Sequence, residues 1–279
     1  MATARPKTRA DTRHAAILAA LLAAGCAAAA SAQDAAQEIA PRLAPHLDGD
    51  AYAEARGGFS NPARITWRRE TGPLDADPAS SETRAVTAGP GYAYEASADT
   101  LYDFAHQRLV SLQDGGAMAN TALHAEVRRR LDIYTALSDG GRRDLIAFGE
   151  AGEFDRFWLE AAMGLRAEPF ELLIEDGLDG TAVRRSETTR IIAQTETGDC
   201  FDTLSAEARA AVAGWMRHAW PVHPDVFDAA IDRADPPCAI RFVVYSPESP
   251  EGRQERWSVQ DVAALEAFDP LSGAAPAAP

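Results

Sequence analysis

The chain has 279 residues, with 27 Lys and Arg against 42 Asp and Glu, a formal net charge of −15 and 46% hydrophobic residues. So acidic a chain repels nucleic-acid phosphates and anionic lipid surfaces, which excludes an electrostatic nucleic-acid binder. Lys7 is the sole lysine, so the rest of the chain has no Schiff-base lysine, P-loop lysine or Ser-Lys dyad.

The first 32 residues read as an export signal. Arg5, Lys7, Arg9 and Arg13 give a positive start, and an apolar run follows from Ala15 to Ala30. Ala30-Ser31-Ala32 then supplies the small residues a signal peptidase reads, with cleavage after Ala32. The run is about 16 residues, short of the roughly 20 that span a bilayer. A second export reading lies inside it: Leu22-Ala23-Ala24-Gly25-Cys26 resembles a lipobox, in which Cys26 is lipidated and begins the mature chain. One outcome is a periplasmic or secreted protein, the other a membrane-tethered lipoprotein. No later stretch is long and apolar enough to cross a membrane. Loss of residues 1–32 removes four basic residues and one acid, which takes the net charge from −15 to −18.

Residues 33–63 read as a helical or irregular lead-in to a single α+β domain over 64–269. Ile65 and Trp67 alternate with polar neighbours, as do Tyr92 and Tyr94, so both segments read as half-buried strands. Between them, residues 71–91 are rich in Gly, Pro, Ser and Asp and read as a long loop. Thr100–Ala105 and Arg108–Leu112 add two short strands around His106-Gln107, completing an antiparallel meander with one wet face. The middle is helical. Asn120 is placed to cap a helix in which Leu123, Val127, Leu131, Tyr134 and Leu137 recur every three or four residues. A second helix over Phe154–Leu165 directs Phe154, Trp158 and Met163 to the core.

Strands return at Phe170–Glu175, Thr181–Glu187 and Ile191–Thr197, followed by an amphipathic helix over 203–219 that Pro221 ends. Pro224–Arg233 gives a short helix, and Ala239–Tyr245 pairs with Glu255–Val259 as a last hairpin. Residues 270–279 read as a disordered, low-complexity tail. The class is therefore α+β, a mostly antiparallel sheet in two strand groups around a helical middle. A curved sheet carrying helices on its concave side, as in periplasmic lipid carriers, is compatible with this order; that likeness is architectural, and no motif names a family.

Cys200 and Cys238 survive signal removal, and in an oxidising compartment such a pair predicts a disulfide. His218 and His223 bracket Ala-Trp-Pro-Val, with Asp225 two residues on, which offers two imidazoles and a carboxylate at a helix end. The spacing matches no zinc signature, and Pro221 breaks the register that a His-x-x-x-His site needs. An imidazole near a helix C-terminus is also favoured by the dipole alone. Trp215 and Trp220 either line an apolar pocket or belong to the core, and core packing is the simpler reading. Arg128-Arg129-Arg130 reads as a solvated helix face. Asp176–Glu187 has the length of a calcium loop without its alternating ligands, and so reads as a hairpin. No nucleophile elbow, metal signature or cofactor motif occurs.

These features point to an exported envelope protein that binds a small molecule, a lipid or a protein partner without catalysis. The alternatives are an envelope hydrolase using carboxylates or the His218, His223 and Asp225 group, and a purely structural envelope protein.

Overall fold

Ala63, Ile65 and Trp67 are buried while Arg64, Thr66 and Arg68 at the alternate positions are exposed or half-buried, so the period of two read from the sequence is the period of the first strand. The computed structural model describes residues 59–112, 117–140, 156–166, 170–186, 190–232, 234–246, 249–270 and 275–276. The export segment with Cys26 and Ala32, His46 and Phe154 lie outside the described residues.

The first strand, β1 (Ala63–Pro73), leads into β2 (Ser80–Gly89), β3 (Tyr92–Glu95), β4 (Thr100–Asp103), β5 (Arg108–Leu112) and β6 (Ala117–Ala122). Helices α1 (Leu123–Gly140) and α2 (Arg156–Met163) follow, then β7 (Leu172–Gly177), β8 (Gly180–Arg185) and β9 (Ile191–Glu196). After α3 (Ala206–Ala219) and α4 (Pro224–Ala230) come β10 (Ala239–Ser246), β11 (Ser249–Ala264) and the two-residue β12 (Ala275–Pro276). All the strands join one sheet in the order β12-β6-β5-β4-β3-β2-β1-β11-β10-β9-β8-β7. Each pairing is antiparallel except that of β12 on β6. The strands before and after the helical middle are thus halves of a single sheet, stitched together where β1 pairs with β11.

Several boundaries move from their sequence-based positions, among them that of the tail expected to be disordered, in which Ala275–Pro276 pairs with β6. Residues 71–91 are mostly strand: β1 continues to Pro73 and β2 spans Ser80–Gly89, leaving a short turn at 74–79. The first half of β2 is polar and exposed, so its own sequence carries no alternation; pairing with β1 holds it extended, and β3 joins only at Val86–Gly89. Asn120 lies in β6, and α1 begins at Leu123. Of the apolar stripe on α1, Leu123 and Tyr134 are buried, whereas Val127 and Leu131 are 44% and 46% exposed.

The helices pack on one face of the sheet. Ser205 caps α3 by accepting from the backbone N–H of Ala208 at 3.2 Å. Ala208, Ala211 and Ala213 turn small side chains inward, and Gly214 meets the Phe104 ring so closely that a Cβ would sit 2.8 Å from it. This small-residue face lets α3 lie close to β2 and β3. On the other face, Phe59, Tyr92, Leu101 and Val110 form a second apolar cluster with Phe268, whose ring stacks on Tyr92 at 6.2 Å. The meander is therefore dry on both faces at this point. Cys200, just before α3, is bonded to Cys238, just before β10. Among the described residues, no helix is long and apolar enough to cross a membrane.

Candidate functional site

Tryptophans occupy the middle of the covered face. Trp67 from β1, Trp215 at the end of α3, Trp220 after it and Trp257 from β11 are all less than 7% exposed. Their ring centroids lie 5.5–6.0 Å apart, in tilted and edge-to-face pairs that suit aromatic quadrupoles. Trp215 and Trp220 are thus core residues. The indole N–H of Trp215 donates to Glu95 at 3.1 Å, while those of Trp67 and Trp220 meet no acceptor among the described residues.

Beside this core runs a belt of alternating charge that the sequence reading missed. Glu255 is buried and accepts two bonds from Arg69, at 3.0 and 3.1 Å, and one from Arg253 at 2.8 Å. Arg69 also reaches Glu82, which accepts from Arg84. Burial alone would lower the Arg69 pKa, but its bonds to Glu255 and Glu82 outweigh that and hold the guanidinium above its ordinary value. The belt pairs each charge it buries, which is the condition for burying charge at all.

Of the three residues singled out at the helix end, the structure keeps His223 and Asp225 in contact and packs His218 against other neighbours. His223 caps α4, its Nδ1 accepting from the backbone N–H of Asp225 at 3.1 Å. That bond leaves the proton on Nε2, which faces Glu160 Oε2 at 3.3 Å. Glu160 Oε1 accepts from the Tyr134 hydroxyl at 3.1 Å. His223 and Glu160 side chains are both fully buried, and the imidazole stacks on Phe157 at 4.7 Å. Burial pushes the His223 pKa below its ordinary value, although the Glu160 bond pulls it upward. Asp225 stands 3.8 Å from His223 Nδ1 and pairs with Arg166. His218 instead packs against Tyr102 and Phe104. The acid-base pair that folding creates is Glu160 with His223, and it uses a residue 63 positions away that no local spacing indicates.

For His218, position and environment compete. The helix C-terminus favours an imidazolium, yet desolvation first, then Arg130 and Arg217, lower its pKa to about 4, against a smaller opposing effect of Glu126. Unfolding restores the usual value near 6.5, so the unfolded chain binds the extra proton as pH falls through that range. Stability from this group is complete above pH 6.5 and is lost toward pH 4, by roughly 2–3 kcal/mol. Urea unfolding at pH 7 and pH 4.5 should therefore show a smaller pH loss in His218→Gln than in the natural protein. Equal losses would remove His218 from the account.

Among the described residues, depressions open to solvent include the following two. The first, about 310 Å³, lies where the turn after β1 overhangs β9 and β10. Leu74, Ile191, Ile192, Phe242 and Val243 give it apolar walls, Arg190, Arg241 and Gln254 supply donors, and Asp75 adds one carboxylate. Arg190 donates to the Tyr245 hydroxyl and Arg241 to Gln194 Oε1 at 3.1 Å, which fixes both guanidinium groups near the groove. The Tyr245 ring lies against Gly252, where φ is +80° and a Cβ would sit 2.5 Å from the ring; this position requires glycine. The second depression, about 670 Å³, is lined by three threonines and by Asp228, Asp232 and Asp235. Among the described residues, no three His, Cys, Asp or Glu side chains are placed to hold a metal ion.

Fold and groove together define an α+β protein with one long antiparallel sheet, helices on one face and a small basic-rimmed apolar groove. No protein-family model matches the chain, and no curated protein matches it. Among solved structures, a LolA superfamily protein from Nitrosomonas europaea aligns over 84% of this chain and 94% of its own. The identity is 9% and the TM-score 0.27, a superposition too loose to assign fold or function.

Proposed function

We propose that this chain is an exported cell-envelope protein, periplasmic or secreted, that binds a small amphipathic anion without turning it over. The observation that carries the reading is the groove at Leu74, Ile191 and Phe242, which joins apolar walls to the guanidinium groups of Arg190 and Arg241. On a chain with net charge −15, two arginines against the single carboxylate of Asp75 are a local inversion of charge. That combination suits a ligand with an alkyl body and a carboxylate or phosphate head. The export segment and the disulfide support the compartment. The full burial of Glu160 and His223 keeps the best acid-base pair away from solvent, which favours binding over hydrolysis.

Decanoate and decanol share an alkyl tail and differ in the charge of the head, so they test the reading directly. Titrated into the exported, isotope-labelled protein, decanoate should shift the amides of Ile191, Ile192 and Val243 and bind more tightly than decanol. Arg241→Ala should weaken decanoate about tenfold, the value of one charge-assisted hydrogen bond, and leave decanol unchanged. Equal binding of acid and alcohol, or shifts confined to other surfaces, would contradict the assignment.

A further inference from the structure

The two ends of the sheet are finished differently. At one end, β12 from the chain's own C-terminal segment pairs with β6. At the other, β7 is paired on one side with β8, from Leu172↔Arg185 to Gly177↔Gly180, and among the described residues nothing pairs with its outer side. An outer strand presents unpaired N–H and C=O groups, and proteins usually blunt such an edge with charged side chains, proline, a bulge or a covering element. Strand β7 reads Leu-Leu-Ile-Glu-Asp-Gly: Glu175 and Asp176 charge its second half, while its first half carries neither a charge nor a proline. The nearest irregularity lies one strand further in, between Val183 and Arg184.

Side chains on this edge are also unusual. Leu173 and Ile174 are 48% and 51% exposed, and Leu178 at the hairpin tip is fully exposed. Neighbouring residues of a strand point to opposite faces, so Leu173 and Ile174 place apolar surface above and below the same edge. Around them, Glu171, Glu175, Asp176 and Asp179 are all exposed. Arg184 reaches Glu175 at 3.2 Å, and Asp176 accepts from Thr181; the patch keeps a clear excess of acid.

We infer that β7 is a docking edge for an extended segment of a partner protein in which apolar and basic side chains alternate. Main-chain hydrogen bonds would extend the sheet by one strand, Leu173 and Ile174 would contact the apolar positions, and the carboxylates would select for basic ones. Charge decides against a second copy of this chain. Two antiparallel β7 strands would bring the acidic clusters of both copies together, on molecules that already repel each other at −15. The inference goes beyond the groove reading by naming the chemistry of a protein partner. It concerns a different surface from the groove, so peptide binding and decanoate binding fail independently.

The test uses two synthetic nonapeptides of alternating valine and charged residues, one with lysine and one with glutamate, added to the exported full-length protein. The lysine peptide should slow amide exchange along β7 and bind at least tenfold more tightly than the glutamate peptide, with an advantage that shrinks as salt rises. The surface variant Glu175→Lys/Asp176→Lys should reverse the preference while unfolding at the same urea concentration as the natural chain. Equal affinity for both peptides, protection elsewhere than β7, or no binding of the lysine peptide would overturn the inference. So would concentration-dependent dimerisation abolished by Ile174→Lys, because the edge would then belong to a second copy.

Discussion

Trp67→Ala is expected to destabilise the protein by roughly 3–5 kcal/mol, the range for emptying a fully buried aromatic site. Trp67 has no exposed surface and meets Phe201, Trp215 and Trp220 at ring separations of 5.8–6.0 Å. It sits where β1 joins the two halves of the sheet, so its neighbours come from both sides of the helical middle. A loss of that size is a large part of the roughly 5–15 kcal/mol that holds a domain together. Phenylalanine provides the control. Because the Trp67 N–H meets no acceptor among the described residues, Trp67→Phe loses volume but none of the described hydrogen bonds, whereas Trp215→Phe also loses the bond to Glu95. Urea unfolding should therefore rank Trp67→Phe as milder than Trp215→Phe, by about 1 kcal/mol. The reverse order would mean that the tryptophan cluster is held by something other than the contacts described.

Removing the disulfide is the second large effect. Cys200 and Cys238 are separated by 38 positions, and the loop they close contains α3 and α4. On the chain-entropy model, opening a loop of that length costs about 4 kcal/mol. The double variant Cys200→Ser/Cys238→Ser should unfold at a markedly lower urea concentration and should not respond to added reductant. The natural protein should lose comparable stability when reduced. If reduction leaves its midpoint unchanged, the bond contributes little to holding α3 and α4 on the sheet.

Much of the strand pattern was legible because single strands carry it. Ile65 and Trp67 announce β1, and the turn residues Gly177 and Gly180 announce the hairpin of β7 and β8. Strand β2 was not legible, since Ser80–Gly89 is held by neighbours rather than by its own alternation. Strand β11 was seen only over Glu255–Val259; residues 249–254 and 260–264 on either side lack a clear alternation and are held extended by pairing with β10 and β1. The site was less legible still. Leu74, Arg190 and Arg241 line one groove from widely separated segments, and Glu160 meets His223 across 63 positions. The pairing of His218 with His223 suggested by their closeness in sequence dissolves at Pro221, after which the two rings pack against different aromatic neighbours.

The central claim is that the chain carries a small amphipathic anion in the groove beside Arg190 and Arg241. Native-spray mass spectrometry of the protein recovered from its own cell envelope tests it most directly. The account predicts an adduct that is released as an anion containing an alkyl chain, and that is lost or greatly reduced in Arg241→Ala. A bare polypeptide from the natural chain, or an uncharged adduct retained equally by the variant, would contradict it.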